Sequence, residues 1–219
     1  MNTDSFEPQN DLSTLDLKRI SNSGIVAIDC EMGGLNPNRD QLYLVQISDR
    51  HDVVNLIKTS QWQEAENLKS ILMNKKIIKV FHFAIIDNAF LNKHLSIVVE
   101  NSYCTKIASK LARTYSDSHG LGSLLEDLLG LAKDKKLQTS YWGGQITKEQ
   151  IQYAIKDVKY LIKIKDKIES ILAEKGALPT GITYLELNNK CQQFIPTLTQ
   201  LWLNGWDFGI EDPKSVFGH

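Results

Sequence analysis

Four carboxylates and one phenol in this 219-residue sequence stand where apolar side chains belong. In IVAIDCEMGG, residues 25–34, strand alternation places Ile25, Ala27, Asp29 and Glu31 on one face and Val26, Ile28, Cys30 and Met32 on the other. Taken alone, the Asp29/Glu31 pair also fits a strand end reaching solvent in an acid-rich chain. Two more acids change that reading. Ala84, Asp87, Leu91 and Leu95 share one helix face, and Tyr153, Asp157, Leu161, Ile164 and Ile168 share another, with Lys156, Lys159, Lys163 and Lys167 on its exposed flank. Each acid interrupts an inward stripe that contains no basic residue. A buried carboxylate must be neutralised, paired or bound to a cation, so the expected counter-charge is a divalent metal.

A carboxylate set suits Mg²⁺ or Mn²⁺, and no His or Cys set is spaced to favour zinc. Two such ions about 4 Å apart serve in-line phosphodiester cleavage, one activating the attacking water and the other stabilising the leaving oxygen. Asp29, Glu31, Asp87 and Asp157 are therefore the expected ligands of two divalent ions. Tyr153, one turn before Asp157, would project into the same site. With a phenol pKa near ~10 it would orient the attacking water rather than deprotonate it.

The elements that must position these groups follow from periodicity and turn residues. Residues 1–22 read as a polar, loosely attached lead-in, and residues 23–219 as a single domain with a helical C-terminal extension. GIVAIDCEM, QLYLVQISD and DVVNLI form a meander of three strands. TSQWQEAENLKSILMNK is a helix capped at Thr59 or Ser60. KIIKVFHF is a fourth strand feeding the helix AIIDNAFLNKHL, and VENSYCT holds a short fifth strand or turn. Helices follow in KIASKLARTY, LGSLLEDLLG and one long stretch over 147–176, ended by Gly176 and Pro179. The sum is an α/β fold with a mixed sheet of about five strands flanked by helices.

Composition narrows the class without naming it. A net charge of −1 argues against wholesale attraction to polyanions. Three scattered cysteines make no metal motif and suit a reduced, cytoplasmic setting. No cationic leader precedes an apolar run and no stretch is long enough to cross a bilayer, so no membrane partner is expected.

IDCEMGGL, FHFAIIDNAFL and YAIKDVKYL resemble, in order and approximate spacing, the three exonuclease motifs of the DEDD superfamily of 3′-5′ exonucleases. The third carries Tyr153 four residues before Asp157, while oligoribonuclease-type relatives carry His five before, where this chain has Gln152; the tyrosine-type branch is favoured. DCEMGGLNPNRDQLYLVQIS, TKIASKLARTYSDSHGLGSLLEDLLG, LQTSYWGG and the terminal SVFGH resemble compact bacterial RNase D-like proteins. The resemblance implies a ribonuclease H-like fold and metal-dependent release of 5′-mononucleotides from an RNA 3′ end. It further implies that Asp29, Glu31 and Asp157 hold one ion, that Asp29 bridges to the second, and that Asp87 acts through water. The helical RNA-binding domains of full-length RNase D have no counterpart in this sequence.

Substrate contacts are expected from Met32 and Leu35 as an apolar lip beside the last base, and from His82, Lys135, Ser140 and Trp142. Core packing explains Leu35 equally simply and is the favoured reading for Trp142 and His82, and Lys135 with Lys136 is also an ordinary solvated pair. The expected partner is RNA with a free 3′ end. Two alternatives stay open: a 3′-5′ DNA exonuclease, because the same acids serve both polymers, and a catalytically silent nucleic-acid-binding module.

Overall fold

Apolar residues on both faces of IVAI suit a strand buried in mid-sheet, and that is where it lies. The computed structural model describes residues 7–132 and 140–206. One five-stranded sheet has the order β3-β2-β1-β4-β5. The strands are β1 (Ile25–Met32), β2 (Leu42–Ser48), β3 (Val54–Ile57), β4 (Ile78–Phe81) and β5 (Ser102–Cys104). β1, β2 and β3 form the antiparallel meander, and β4 and β5 continue in parallel on the other side of β1. The expected mixed sheet of five strands is therefore present.

Nine helices are described: α1 (Thr14–Ser23), α2 (Glu66–Met73), α3 (Ala84–Leu95), α4 (Thr105–Ala112), α5 (Leu121–Leu129), α6 (Lys148–Lys159), α7 (Leu161–Glu174), α8 (Tyr184–Gln192) and α9 (Ile195–Gly205). The even-numbered residues Val26, Ile28 and Cys30 of β1 join a core with α1, α2 and α3. Ile25 and Ala27 join a second core with α4, α5, α6 and α7. The sheet thus separates two apolar layers, and the parity of a β1 residue decides which layer it enters.

The pairing of β1 with β4 covers only Ile25 to Ala27, whereas its pairing with β2 continues to Met32. β4 turns away into α3 and leaves the far half of β1 open on that side. Such a switch between strand directions is where open α/β sheets place their sites.

Three expectations are corrected. The lead-in is tied down from Gln9 onward: Gln9 N–H donates to Leu56 O and Lys58 N–H to Gln9 O, both at 2.8 Å, along the edge of β3. Its polar residues cap and pair, which is why they read as loose. Neither Thr59 nor Ser60 caps α2; Thr59 Oγ1 accepts from Gln61 N–H, and a 3-10 turn (Trp62–Glu64) intervenes. The Asp11 carboxylate, distant in sequence, accepts from Asn67 and Leu68 N–H at 2.8 and 2.9 Å. The long helix is broken at Tyr160 (φ −102°, ψ −4°). α6 packs on β1 and β2 while α7 packs on α4, and one straight rod does not meet both surfaces.

At the other edge, the Gln192 side chain satisfies β5 from α8. Cys104 N–H donates to Gln192 Oε1 at 2.8 Å, and Gln192 Nε2 donates to Cys104 O at 3.3 Å. No helix among the described residues is long and apolar enough to cross a membrane.

Lys79 on β4 is fully buried, its Nζ donating to Asn74 O and Ile77 O at 2.7 and 2.9 Å. Burial depresses its pKa to about 8, partly offset by Glu100. Below pH 8 the native state carries the cost of a buried ammonium. Between pH 8 and the ordinary lysine value the unfolded chain binds more protons, so stability contributed by this residue rises with pH. Relative to Lys79→Met, the wild type therefore gains in Tm from pH 7 to pH 10, by at most about 3 kcal/mol in stability. A Tm gap that stays flat over that range dismisses this account.

Candidate active site

The parity of β1 delivers Asp29 and Glu31 to the α6 layer, where Tyr153 and Asp157 face inward from the helix. A Thr147/Gln150 capping box starts α6, with Gln150 N–H donating to Thr147 Oγ1 and Thr147 N–H to Gln150 Oε1. Ligand oxygens of Asp29, Glu31 and Asp157 all lie within 4.8 Å of one another. Asp157 is 5% exposed, and Asp29 and Glu31 are partly exposed. The donors are all carboxylate oxygens, with no imidazole or thiolate among them, and so fit a hard divalent cation such as Mg²⁺ or Mn²⁺.

Asp87 is near the cluster but outside it. It enters from α3 on the other face of the sheet and accepts hydrogen bonds from the thiol and backbone N–H of Cys30. Burial raises its pKa to about 7 against the effect of those bonds. The Cys30 thiol is itself pushed well up by burial and by the charges of Asp87, Asp29 and Glu31. Three of the four expected carboxylates thus converge directly, and the fourth is held at Cys30, the residue between Asp29 and Glu31.

Burial, followed by the charges of Asp157 and Glu31, raises the pKa of Tyr153, whose hydroxyl is hydrogen-bonded to Asp157. The phenol is a neutral donor. Its ring packs at 6.4 Å from that of Trp142, which is 2% exposed and belongs to the core.

A pocket of about 300 Å³ opens directly from Glu31, lined by Met32, Gly33, Gly34, Tyr43, Ser140, Tyr141 and Trp142. Its volume suits one nucleobase with part of a sugar. At Gly34 an added Cβ would meet Asp40 Oδ2 at 2.2 Å, so the loop after β1 folds tightly around that carboxylate. Tyr43 and Tyr141 meet edge to face at 5.8 Å and 70°, and Tyr141 is 74% exposed. Leu35 is also exposed at 54%. His82 Nδ1 is 3.0 Å from Thr105 Oγ1, which in turn donates to Phe81 O. Of the expected substrate residues, Met32, Ser140 and Trp142 line the pocket, Leu35 and His82 lie on neighbouring segments, and Lys135 falls outside the described residues.

Several side chains of the site were not singled out by sequence. Gln46, opposite Asp29 across β1 and β2, is fully buried and donates from Nε2 to Glu31 Oε1 at 3.1 Å. Its signal is a lone amide in the apolar strand LYLVQIS. Lys58 Nζ donates to Trp142 O at 3.2 Å and to Gly144 O, and burial lowers its pKa. Gln150 Nε2 donates to Ser140 Oγ and Tyr141 O at 3.2 and 3.0 Å. These two residues hold the outer wall of the pocket from opposite ends. Gln46→Leu removes the donor that orients Glu31, so Mn²⁺ affinity should fall about ten-fold in a calorimetric titration, the usual scale for groups behind a ligand. An unchanged affinity assigns Gln46 to packing alone.

A family model described as 3′-5′ exonuclease matches residues 7–173. Among solved structures, Brucella melitensis NrnC is 37% identical, with a TM-score of 0.80 over 90% of this chain and 93% of that one. The same protein with bound Mg²⁺ (36% identical, TM-score 0.79) and bound to pGG (36%, 0.81) covers 90% of this chain and 92% of that one. Ribonuclease D of Sphingobium indicum is 29% identical over 160 residues, 72% of this chain and 41% of its own length. DNA polymerase I of Aquifex aeolicus is 27% identical over 213 residues, 90% of this chain and 34% of its own length. The chain spans between a third and about two fifths of these two curated relatives.

Proposed function

Because the chain belongs to the 3′-5′ exonuclease family, we propose that it is a metal-dependent exoribonuclease, removing 5′-mononucleotides from the 3′ end of single-stranded RNA. The observation that carries this reading is the joining of the Asp29/Glu31/Asp157 cluster to a nucleotide-sized pocket through Glu31. A nucleotide whose base entered the pocket would have its phosphate near the carboxylates, because Glu31 belongs to both. Two divalent ions held by Asp29, Glu31 and Asp157, with Asp87 behind them, would supply the charge that activates water and stabilises the leaving oxygen. Tyr153, whose hydroxyl donates to Asp157, would orient that water through its phenol oxygen, Gln46 fixes Glu31, and Lys58 with Gln150 keeps the pocket wall in place.

RNA is favoured over DNA by the relatives named ribonuclease D and by NrnC bound to pGG. The polymerase relative keeps DNA as the comparison to make. The deciding experiment incubates 5′-labelled RNA and DNA of one sequence, and pGG, with the protein in Mg²⁺, Mn²⁺ or EDTA. RNA should shorten stepwise from its 3′ end in either metal, faster than DNA, and remain intact in EDTA. Folded protein that binds RNA yet releases no mononucleotide would return the chain to a binding module.

A further inference from the structure

α9 lies beyond the residues matched by the family model, yet one of its side chains joins two of the segments that carry the site. Trp202 is 7% exposed, and its Nε1 donates to the Leu35 carbonyl at 2.9 Å. Its ring meets Phe83 edge to face, with centroids 6.5 Å apart and planes at 72°. Leu35 follows the strand that holds Asp29 and Glu31, and Phe83 stands between His82 and the helix that holds Asp87. A single indole therefore spans the loop after β1 and the corner between β4 and α3.

A second tie runs the opposite way, from Asn38 Nδ2 to Leu203 O at 2.8 Å. Between the two ties the loop is wound on Asp40, whose carboxylate accepts from Asn36 N–H at 2.9 Å. α9 thus grips a stiff loop at two points. Phe83 has φ +72°, a left-handed conformation that an aromatic residue keeps only where its surroundings enforce it. Trp202 is part of those surroundings, as is Lys106, whose Nζ is 4.1 Å from the Phe83 ring centre.

The Leu35 side chain is exposed while its carbonyl is anchored. An apolar side chain gains from packing on a base only to the extent that its backbone is already ordered, since ordering on binding lowers affinity. We propose that Trp202 is a positioning residue for substrate, holding Leu35 and the His82–Phe83 corner against the terminal nucleotide. This rests on the exonuclease reading above.

The test compares wild type, Trp202→Phe, Leu35→Ala and their double variant on 5′-labelled single-stranded RNA, with Mn²⁺ affinity and Tm measured alongside. Trp202→Phe keeps an aromatic ring and loses the donor. Its KM should rise about ten-fold, the scale of one hydrogen bond, with kcat within about two-fold and Mn²⁺ affinity unchanged. In the Leu35→Ala background the same change should raise KM by less than about two-fold, because the side chain being positioned is gone. Asn38→Ala, an exposed site, should raise KM in the same direction and covers the case in which Trp202→Phe does not fold. An unchanged KM in folded Trp202→Phe, a fall in kcat with Tm and KM unchanged, or full additivity with Leu35→Ala overturns the proposal. Wild type that hydrolyses no RNA overturns the exonuclease reading and this proposal with it, whereas active wild type beside an unaffected Trp202→Phe overturns the proposal alone.

Discussion

Asp29→Asn lowers the rate of RNA hydrolysis by at least about 10³-fold, while in EDTA the variant is as heat-stable as the wild type or more so. The rate follows from the role proposed for the cluster: a divalent ion held there would supply several kcal/mol of charge stabilisation at the transition state, and about 4 kcal/mol is a factor of about 10³. Asp29 supplies one of three carboxylates within 4.8 Å of one another. The stability follows from the same distances. Three carboxylates this close repel one another when no cation is present, by an amount on the order of a few kcal/mol at the effective dielectric of a protein. With solvent screening of the partly exposed Asp29 and Glu31, removing one charge should recover about 1 kcal/mol, raising Tm in EDTA by roughly 2–4 °C for a chain of this size. Mg²⁺ should then raise the Tm of the wild type and leave that of the variant nearly unmoved. Single-turnover assays and calorimetry read both effects. A variant that hydrolyses RNA within ten-fold of the wild type removes Asp29 from the catalytic set, and a variant that melts early in EDTA shows the charge to be structurally paired.

Tyr153→Phe should lower kcat about 10²-fold, in the range assigned to a single well-placed proton-bearing group, with KM and Mn²⁺ affinity within about two-fold of wild type. The ring is retained, so its packing against Trp142 survives. Only the hydroxyl is lost. That hydroxyl is bonded to Asp157 and held neutral by burial and by the surrounding carboxylates, so it acts as a donor and not as a base. Equal turnover in the two proteins dismisses the water-orienting role. A rise in KM at constant kcat would instead make Tyr153 part of the substrate surface.

The carboxylates were legible because each breaks a pattern that burial imposes. Asp29 and Glu31 occupy the inward parity of an apolar strand, and Asp87 and Asp157 occupy inward helical positions; all four lie at or near the place that these patterns imply. Parity also explains the one refinement. Asp87 reaches the thiol and backbone N–H of Cys30 from α3, beside the cluster and not within it, which helical periodicity in α3 alone does not reveal. Gln46 showed only as a lone amide in an apolar strand, and its task appears only when its opposite residue is known to be Asp29. Lys58 and Trp202 were hidden for a different reason: each acts on a backbone carbonyl 84 or more residues away, and a carbonyl carries no sequence signature. The break at Tyr160 belongs to the same class, since no proline or glycine marks it and only the two surfaces met by α6 and α7 require it.

Both margins of the sheet are already occupied from within the chain. Gln9 lies along β3 as a short parallel partner, and the Gln192 amide offers β5 one donor and one acceptor, as the backbone of a sixth strand would. Exposed strand edges are the usual templates for joining one chain to another. Here neither edge, among the described residues, presents its full row of free backbone groups, which makes sheet extension a poor route for joining two copies. Beyond Ala27, the side of β1 that β4 leaves unpaired lies beside the Asp29/Glu31/Asp157 cluster.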